Sequence, residues 1–475
     1  MTDTNEVRVE RTIGTKHLEV SIADARRGEQ ATALAQRLRA HIRSGSLRSG
    51  TKLPASRSLA LDLGVSRGVV VRAYEQLTAE GYLRARQGRG TEVGDVSRGP
   101  DPGPPMPTRP ATNPGLPPGG LFPRAAWLRS ATRALSALPD ADLGYGDPAG
   151  HPLLRHELAT YLGRARALIA RPENIVVVNG FAQAGRLLAD VLRASGITDV
   201  GVEDPGSAGL REQLTRAGLA CQPVAVDTEG IRVDALSRAG LRAVFVTPAH
   251  QFPTGVVMSP GRRHALLAWA RDHRALVVED DYDAEYRYDR SPVGALQGLG
   301  PDVVVYGGSI SKTLAPGMRL GWLVVPEQLV RAVTDAKYDV DLGTGVWEQV
   351  TLAEFLASGE MDRHIRRTSL RYRARRDRLV FELTAAHPEW EVTGTAAGLH
   401  LLVYLPAGSD EAGFADLAQR SGLDARPLRN YAQAGSDRPG LVIGYGHQPP
   451  DALADGVARM VRLEGRPFVG GTSRR

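Results

Sequence analysis

The sequence predicts two folded parts, a small helical domain near the start of the chain and a large α/β domain with a mainly parallel sheet. Three observations support this prediction. Positive charge is concentrated in residues 25–96, a proline-rich segment follows, and hydrophobic strand-like runs recur through the remainder of the chain. At 475 residues, the chain also exceeds the length of one ordinary domain.

Short hydrophobic runs indicate a large buried sheet in the second part. They are Ile175–Val178, Ala243–Val246, Ala275–Glu279 and Val303–Tyr306. Their length and their content of β-branched residues are typical of strands that are covered on both faces. Helical patterns separate them, so we expect helices to connect the strands and the sheet to be mainly parallel and doubly wound.

The first part is basic. Residues 25–96 contain thirteen Lys or Arg and six Asp or Glu, a net charge of +7, whereas the whole chain carries only +6. The positive charge is therefore local to this part. A compact basic module would attract a phosphate backbone and would not help to bind a small amino acid. The alternative is a basic helical domain that binds another protein.

Hydrophobic spacing predicts three helices within this module. Leucine and isoleucine recur every four residues from Leu34 to Ile42, and they mark the first helix. A second helix is predicted to begin near Ser56, and a third spans 67–80 with Ser66 as its cap. Helices in this order, followed by a hairpin, form a winged helix-turn-helix.

The hairpin is predicted for residues 82–93, which carry a glycine-rich basic tip. Together with the motifs Leu53–Arg57, Val65–Arg67 and Glu80–Tyr82, this segment resembles the GntR family of winged-helix transcription factors. The resemblance implies a domain over 25–96 that binds double-stranded DNA. It implies phosphate, major-groove and wing-tip contacts from Arg57, Ser66, Arg67, Gln87, Gly88 and Arg89.

One segment of the large part carries the chemistry of a pyridoxal phosphate site. Lys312 follows Ser309 and Ser311 closely and precedes Arg319 by seven residues. An amine can condense with the aldehyde of this cofactor, and hydroxyls and a guanidinium can hold its phosphate. A lone Ser-x-Ser-Lys is also common in ordinary loops, so the surroundings decide the interpretation.

A pair of carboxylates supplies that surrounding context. Asp280, Asp281 and Tyr282 follow the predicted strand Ala275–Glu279, at the end where an open α/β sheet presents residues to a ligand. One carboxylate could pair with the pyridinium nitrogen of the cofactor and keep it protonated. The alternative is an acidic loop without function.

Here the chain resembles the fold-type I aminotransferases, over residues 121–470. The motifs of that family occur in order, at Leu143–Gly150, Glu203–Gly206, Thr247–Gly255, Glu279–Tyr282 and the lysine segment. The resemblance implies that Lys312 forms the Schiff base with pyridoxal phosphate, Asp280 meets the pyridine nitrogen and Tyr282 hydrogen-bonds the phenolic oxygen. It further implies phosphate contacts from Ser309, Ser311, Arg319 and the helix N-terminus at Phe181 and Ala182.

Several positions depart from the aminotransferase pattern. Phe252 replaces an Asn that donates to the phenolic oxygen, so Tyr282 must act alone, and Ser207 replaces a ring-stacking Tyr of the relatives. Val442 occupies the place of the arginine that fixes an amino acid's carboxylate in transamination. Arg426 and Arg429 are the alternatives for this role.

The two parts together resemble the MocR or GabR-type regulators. Ser97–Gly120, with nine prolines, joins them as a semi-rigid, partly polyproline II linker. Such a linker reaches on the order of 70 Å, enough to carry the DNA-binding head to a second subunit, as in the head-to-tail homodimers of this family. A slack tether is the alternative. Two heads would bind an operator with two half-sites.

Other features exclude several classes of protein. Cys221 is the single cysteine, so no intrachain disulfide is expected, and no apolar run approaches the length of a membrane span. With no apolar signal region at Met1–Glu6, we expect a cytoplasmic protein. The histidines lack the spacing of metal ligands, and His250 is expected to lie beside the cofactor as packing or as a hydrogen-bond partner.

Two functions are compatible with these motifs. The first is a DNA-binding regulator that uses an aminotransferase-like domain as a sensor, without a catalytic role. The second is a working aminotransferase with an appended DNA-binding head. The departures at Phe252 and Val442 favour the regulator, whose small-molecule effector would be pyridoxal phosphate itself, as in PdxR-type regulators, or an amino acid or amine.

Overall fold

The structure is a computed structural model that describes residues 11–13, 16–18, 20–86, 90–95, 114–283, 285–288, 293–394, 396–435 and 438–465. The chain divides into two compact units, Met1–Arg109 and Pro110–Arg475. The division falls inside the proline-rich segment.

The first unit is built from short helices and two hairpins. Its elements are β1 (Arg11–Ile13), β2 (Lys16–Leu18), α1 (Gln30–Arg43), α2 (Ser56–Asp62), α3 (Arg67–Ala79), β3 (Leu83–Arg86) and β4 (Gly90–Val93). Strands β3 and β4 pair antiparallel, with Leu83 opposite Val93. The hairpin β1–β2 lies outside the residues for which the sequence predicted structure.

The core of this unit comes from the faces that the sequence spacing indicated. Leu34 and Leu38 of α1 and Val70 and Leu77 of α3 are almost completely buried, because residues four apart lie on one side of a helix. On the surface, Arg39 of α1 holds the carboxylate of Glu80 with nitrogen–oxygen distances of 2.7 and 2.9 Å. This bidentate contact ties the first helix to the end of the third.

The second unit contains an eight-stranded sheet within its described residues. The strands, in their order across the sheet, are β5 (Ile175–Val178), β12 (Gly321–Val324), β11 (Val304–Ser309), β10 (Leu276–Asp281), β9 (Ala243–Val246), β6 (Asp199–Asp204), β7 (Ala220–Asp227) and β8 (Gly230–Ile231). Strands β6, β7, β9, β10 and β11 pair in parallel, whereas β12 and β8 run antiparallel to their neighbours. The prediction of a mainly parallel sheet is confirmed.

Helices cover the sheet and explain its continuous hydrophobic strands. They are α4 (Arg124–Ala137), α5 (Pro152–Arg166), α6 (Phe181–Ala194), α7 (Ala208–Arg216), α8 (Val233–Arg238), α9 (Pro260–Asp272), α10 (Val330–Asp341) and α11 (Val346–Ala357). The long helix α12 (Glu360–Ala386) follows and packs mainly in the core of a smaller sheet. Every residue of Ile175–Val178 and of Ala243–Val246 is buried. Within the described residues, none of the helices has both the length and the apolar character to cross a bilayer.

A smaller antiparallel sheet completes the second unit. It contains β13 (Glu391–Thr393), β14 (His400–Tyr404), β16 (Gly440–Gly444) and β15 (Asp424–Pro427) in that order, with α13 (Glu411–Arg420) and α14 (Pro450–Leu463) alongside. Pro114 and Gly115, at the end of the proline-rich segment, are buried and lie against His400 and Gly444. This end of the segment therefore packs on the smaller sheet.

The approach of α6 to β11 depends on a glycine. A Cβ on Gly307 would overlap the ring of Phe181, so the first turn of α6 can lie directly against the sheet only because this side chain is absent. The sequence predicted the helix N-terminus at Phe181, and its contact with β11 comes from the fold.

We expect Gly307→Ala to destabilise the second unit by about 1–3 kcal/mol, because its methyl group must displace the Phe181 ring. Thermal and urea unfolding would measure this loss. The control is Gly261→Ala in α9, where nothing lies within 4 Å of the added carbon. Equal stability of the two variants would contradict the expected overlap.

Candidate functional sites

Lys312 lies in the turn that follows β11, close behind Ser309 at the end of that strand. Its side chain is partly buried, and burial lowers the pKa of the ammonium group, opposed by the negative charges of Asp283 and Asp280. A lowered pKa increases the fraction of neutral amine. A neutral amine is the form that attacks a carbonyl carbon.

A candidate phosphate site lies beside this turn. The Arg319 guanidinium donates a hydrogen bond of 2.6 Å to the carbonyl of Asn179, and a Cβ on Gly180 would be 2.9 Å from its Nη2 atom. Gly180 is the N-cap residue of α6. The guanidinium therefore lies over a helix N-terminus, whose free N–H groups favour an anion.

Ser309 belongs to the same site. It lies opposite Gly321 in the pairing of β11 with β12, and a Cβ on Gly321 would be 3.2 Å from the Ser309 Cβ and 3.1 Å from the Gly180 Cα. The hydroxyl, the guanidinium and the start of α6 at Phe181 and Ala182 thus come together from three segments. Ser311 follows in the turn, where its N–H donates to the Ser309 Oγ at 3.4 Å.

The two carboxylates at the end of β10 have different surroundings. Asp281 is held by the buried Arg166, with nitrogen–oxygen distances of 2.7 and 3.1 Å, and accepts a hydrogen bond of 2.8 Å from Tyr306. Successive residues of a strand point to opposite faces. Asp280 therefore faces away from Arg166, so Asp281 has a structural partner and Asp280 remains available to a ligand.

Asp280 is in an environment that disfavours its negative charge. Burial raises its pKa well above the ordinary value, and Asp281 and Asp283 raise it further, while Lys312 opposes them. A cation bound beside this carboxyl group would restore its charged form. A protonated pyridine nitrogen is such a cation.

Tyr282 is the third residue of the sequence-predicted group. Its hydroxyl lies 3.0 Å from Nδ1 of His250, and the same Nδ1 lies 3.1 Å from each carboxylate oxygen of Asp283. Burial, followed by Asp283 and Asp280, raises the pKa of Tyr282 well above its ordinary value. The hydroxyl therefore keeps its proton and can donate it in a hydrogen bond.

The structure adds a buried carboxyl group to which the sequence motifs gave no role. Glu203 lines a small cavity of about 30 Å³ together with Asp280, Arg211, Ser207 and Phe252. Burial raises the pKa of Glu203 to about 7, opposed by hydrogen bonds from Thr247 and Gln251. Its Oε1 atom has no hydrogen-bond partner among the described residues.

Glu203 belongs to the motif Glu203–Gly206, so its position was visible in the sequence. Its burial beside Asp280 was not, because β6 and β10 are separated in the chain. Arg211, in the first turn of α7, carried no motif at all; its Nη1 atom donates to the Tyr431 carbonyl at 3.4 Å.

Histidines also gather at this place. Ligand atoms of His250, Asp283 and His400 lie within 4.8 Å of one another, and all three residues are buried. Burial lowers the pKa of His400 well below its ordinary value, with His250 and Lys312 acting in the same direction, so this imidazole is neutral. The spacing of these residues in the sequence gave no signal of the cluster.

The place of the carboxylate-binding arginine is hydrophobic. Val442 is fully buried and packs with Leu402, Leu428 and Tyr431. Of the alternatives, Arg429 lies 3.7 Å from the Glu411 carboxylate, and Arg426 lies 4.0 Å from Asp424. Both alternatives therefore already lie near an acidic side chain of the chain itself.

The first unit presents its candidate DNA contacts at two helix starts. Arg57 lies in the first turn of α2, Arg67 begins α3, and both side chains are exposed, as is Ser66. Arg67 Nε lies 3.4 Å from the Ser56 hydroxyl. Another arginine of this unit, Arg39, forms a salt bridge with Glu80 and is not among these candidates.

For this unit, the prediction that Ser66 caps α3 was wrong in part, and the prediction for the wing tip concerns residues that the structure does not describe. Ser66 is the N-cap residue of α3, yet within the described residues its side chain makes no capping hydrogen bond. The exposed hydroxyl is therefore not committed to the helix. The wing-tip residues Gln87, Gly88 and Arg89 lie outside the described residues.

Comparison with known families separates the two units in the same way. Residues 30–93 match the family "Bacterial regulatory proteins, gntR family", and residues 120–437 match "Aminotransferase class I and II". The chain is 33% identical over 455 residues to the probable rhizopine catabolism regulatory protein MocR of Rhizobium meliloti, covering 89% of this chain and 91% of that protein. This chain belongs to the MocR-like family of GntR-type transcriptional regulators.

A second relative supports the same assignment. The regulator is 34% identical over 439 residues to the HTH-type pyridoxine biosynthesis transcriptional regulator PdxR of Corynebacterium glutamicum, covering 89% of the regulator and 93% of that protein. The full-length match includes both units. The regulator is therefore a DNA-binding transcription factor with an aminotransferase-like domain.

Solved structures agree with the fold of the second unit. An archaeal alanine:glyoxylate aminotransferase superposes with a TM-score of 0.68 at 28% identity, covering 75% of the regulator and 91% of that chain. Kynurenine aminotransferase of Pyrococcus horikoshii gives a TM-score of 0.67 at 27% identity, covering 74% of the regulator and 90% of that chain. The predicted fold-type I class is confirmed.

We expect Arg67→Ala to weaken binding to a selected operator by about 1–3 kcal/mol, because Arg67 would contact a base edge, and to relax base preference at one position. Arg57→Ala should weaken binding to all sequences and reduce the salt slope by about one, because it would hold a phosphate. Titrations of operator and random duplexes at several salt concentrations would measure both effects.

The matched control is Arg48→Ala, which removes the same charge from an exposed position in the loop after α1. It should change neither base preference nor operator affinity as strongly. Equal losses on operator and random DNA for Arg57→Ala and Arg67→Ala would rule out the division of roles.

Proposed function

We propose that this regulator binds pyridoxal phosphate covalently at Lys312 and changes its affinity for operator DNA when the cofactor or its conjugate is bound. The observation that carries the proposal is the position and chemistry of the Lys312 amine. Burial lowers its pKa, and the nearby carboxylates of Asp283 and Asp280 oppose this effect. Lys312 lies in the turn between Ser309 and Arg319, where a helix N-terminus offers an anion site.

The residues present fit this cofactor. Arg319, Ser309 and the start of α6 would hold the phosphate, and the absence of a side chain at Gly180 leaves room for the guanidinium. Asp280 would meet the pyridine nitrogen, since its raised pKa reflects the lack of a cationic partner strong enough to offset burial. When bound, the cofactor supplies an aldehyde for the amine and an electron sink.

Sensing is favoured over catalysis by the region around Val442. A transaminase fixes the carboxylate of its substrate with a bidentate arginine, and Val442 is instead enclosed by hydrophobic side chains. The relatives over the full length are named as transcriptional regulators. Residual transaminase chemistry at Lys312 is the alternative, supported by the retained cofactor residues.

For the effector we infer pyridoxal phosphate itself, supported by the name of the relative that regulates pyridoxine biosynthesis. The second candidate is an amino acid or amine. Arg211 favours it, because this side chain lines the cavity beside Asp280 and could meet a carboxylate. Operator titrations with each ligand distinguish the two.

A homodimer is part of the proposal. Hydrophobic side chains near α4 and α5 are exposed in the single chain, with 93% of Tyr145, 65% of Leu128, 62% of Leu143 and 58% of Leu153 accessible. Contiguous patches of exposed apolar side chains are typical of an interface, and we propose that these side chains contribute to one. A head-to-tail arrangement, with two heads on two half-sites, belongs to the same proposal, and a slack tether is its alternative.

We expect borohydride reduction of the cofactor-saturated protein to leave the cofactor on the Lys312 peptide, because reduction fixes a carbon–nitrogen bond formed there. Peptide mass spectrometry would locate the label. Lys337 is the matched control, since burial also lowers its pKa but Asp341 holds its ammonium group. A label on Lys337, or a colourless protein after saturation, would contradict the assignment.

We expect the cofactor to change operator affinity of the wild-type protein by roughly 5- to 150-fold, corresponding to a coupling of about 1–3 kcal/mol. Lys312→Ala should show no change, and by linkage operator DNA should alter cofactor affinity by the same factor. Operator titrations of cofactor-free and cofactor-loaded protein would measure this, with amino acids added as a separate arm.

Identical operator curves with and without cofactor and amino acids would refute sensing. A further shift with an amino acid, lost in Arg211→Ala, would identify the second effector class. Multiple turnovers with any amino donor and keto-acid acceptor would establish the aminotransferase alternative.

A further inference from the structure

Three side chains form a hydrogen-bonded chain behind the candidate cofactor site. The Tyr282 hydroxyl lies 3.0 Å from His250 Nδ1, and the two Asp283 carboxylate oxygens each lie 3.1 Å from the same nitrogen. His250 and Asp283 are both buried. The sequence placed His250 beside the cofactor, but no motif gave a role to Asp283 or to its contact with His250.

The contacts of His250 Nδ1 determine where the hydrogen atoms lie. A carboxylate only accepts hydrogen bonds, so an imidazole nitrogen that lies 3.1 Å from both oxygens of Asp283 carries a hydrogen. A nitrogen that carries a hydrogen cannot accept one from Tyr282. The Tyr282 hydroxyl hydrogen is therefore not donated to His250 Nδ1, and it is free to point to another group.

We propose that His250 and Asp283 are positioning residues that direct the hydroxyl hydrogen of Tyr282 toward the phenolic oxygen of the bound cofactor. The inference rests on the proposed binding of pyridoxal phosphate at Lys312. It gives a reason for Tyr282 to act without a second donor, since Phe252 stands where an amide side chain would otherwise donate. The phenolic oxygen then depends on one donor with a fixed direction.

The fold clamps this pair in place. Gly398 has φ of +69°, and a Cβ there would overlap both Asp283 and His250, so this backbone can cover the pair only as glycine. The hydroxyls of Tyr288 and Tyr445 donate to the Gly398 carbonyl at 2.6 and 2.7 Å. The loop from the smaller sheet is thus held against the imidazole by two further hydrogen bonds.

Other titratable groups around the chain act through charge. Those that face Tyr282, His250 or Lys312 are Asp280, Asp283, Glu203, His400 and Tyr445. Asp283 also stabilises the cationic form of Lys312. Any variant at Asp283 therefore changes both the direction of the Tyr282 hydrogen and the local charge, and the experiment must separate these effects.

A double-mutant cycle separates them. Asp283→Asn is made in the wild type and in Tyr282→Phe, and the absorbance of the cofactor-loaded protein is titrated with pH. A donor to the phenolic oxygen favours loss of the proton from the nitrogen that joins Lys312 to the cofactor, so removing the donor raises the pKa. Removing the Asp283 charge lowers the pKa of this nitrogen in both the wild-type and the Tyr282→Phe backgrounds. This effect of charge therefore cancels when the two shifts are compared.

In the Tyr282→Phe background, Asp283→Asn shifts the titration midpoint of the cofactor absorbance through charge alone. In the wild-type background, we expect the midpoint of Asp283→Asn to lie about one pH unit above the value that this shift predicts, which is a tenfold change in the acid dissociation constant. The reason is that a neutral amide at 283, unlike a carboxylate, does not require a hydrogen on Nδ1, so the imidazole can take the tautomer whose Nδ1 accepts the Tyr282 hydrogen. Circular dichroism and melting curves confirm that each variant is folded. A purely structural role would not produce a difference that requires the Tyr282 hydroxyl.

Equal shifts in the two backgrounds would show that Asp283 acts by charge alone and would overturn the proposal. A midpoint that moves on dialysis against EDTA would overturn it in favour of a metal bound by His250, Asp283 and His400. Failure of the proposed function is distinguishable, because borohydride would then leave no label on Lys312 in any variant.

Discussion

The parallel pairing of β10 with β11 is the constraint on which the large domain depends. Its register places Asp280 opposite Gly307 and Asp281 opposite Gly308. Since side chains alternate between the faces of a strand, fixing Asp281 also fixes the direction of Asp280. The buried Arg166 and Tyr306 hold Asp281, so the register is stabilised without the use of the residue that faces the candidate cofactor.

The burial of charged groups determines the pKa values at the candidate cofactor site. Removing carboxylates from water is costly unless cations or hydrogen-bond donors compensate them. Asp281 has Arg166, but Asp280 and Glu203 have raised pKa values because burial is only partly offset. Lys312, with its own pKa lowered, is too weak a cation to compensate both. A bound group with a cationic ring nitrogen would supply positive charge beside Asp280.

Because the chain consists of two separate units, regulation depends on how the affinity of an effector differs between arrangements of the DNA-binding heads. An effector in the second unit alters DNA binding only if it binds two arrangements of the heads with different free energies. The cofactor residues around Lys312 are retained, whereas the Val442 region is hydrophobic. On the proposed function, this combination would keep the cofactor-binding chemistry of an aminotransferase without the arginine that orients a substrate carboxylate.

The sequence by itself determined the family, the fold class, the helices of the head, the main strands and the lysine segment. Each of these can be recognised from local periodicity or from a short motif. Residue chemistry alone did not choose between Asp280 and Asp281, and only the family resemblance favoured Asp280. The sequence gave no signal that Glu203 is buried beside Asp280 or that His250, Asp283 and His400 form a cluster. Those assignments depend on strand register and on loops that meet only after folding. Ser66 is the N-cap residue of α3 as predicted, but its side chain makes no capping hydrogen bond among the described residues, a detail that local sequence does not determine. Tertiary structure decided which polar groups lost their water, and that loss sets their pKa values and their chemistry.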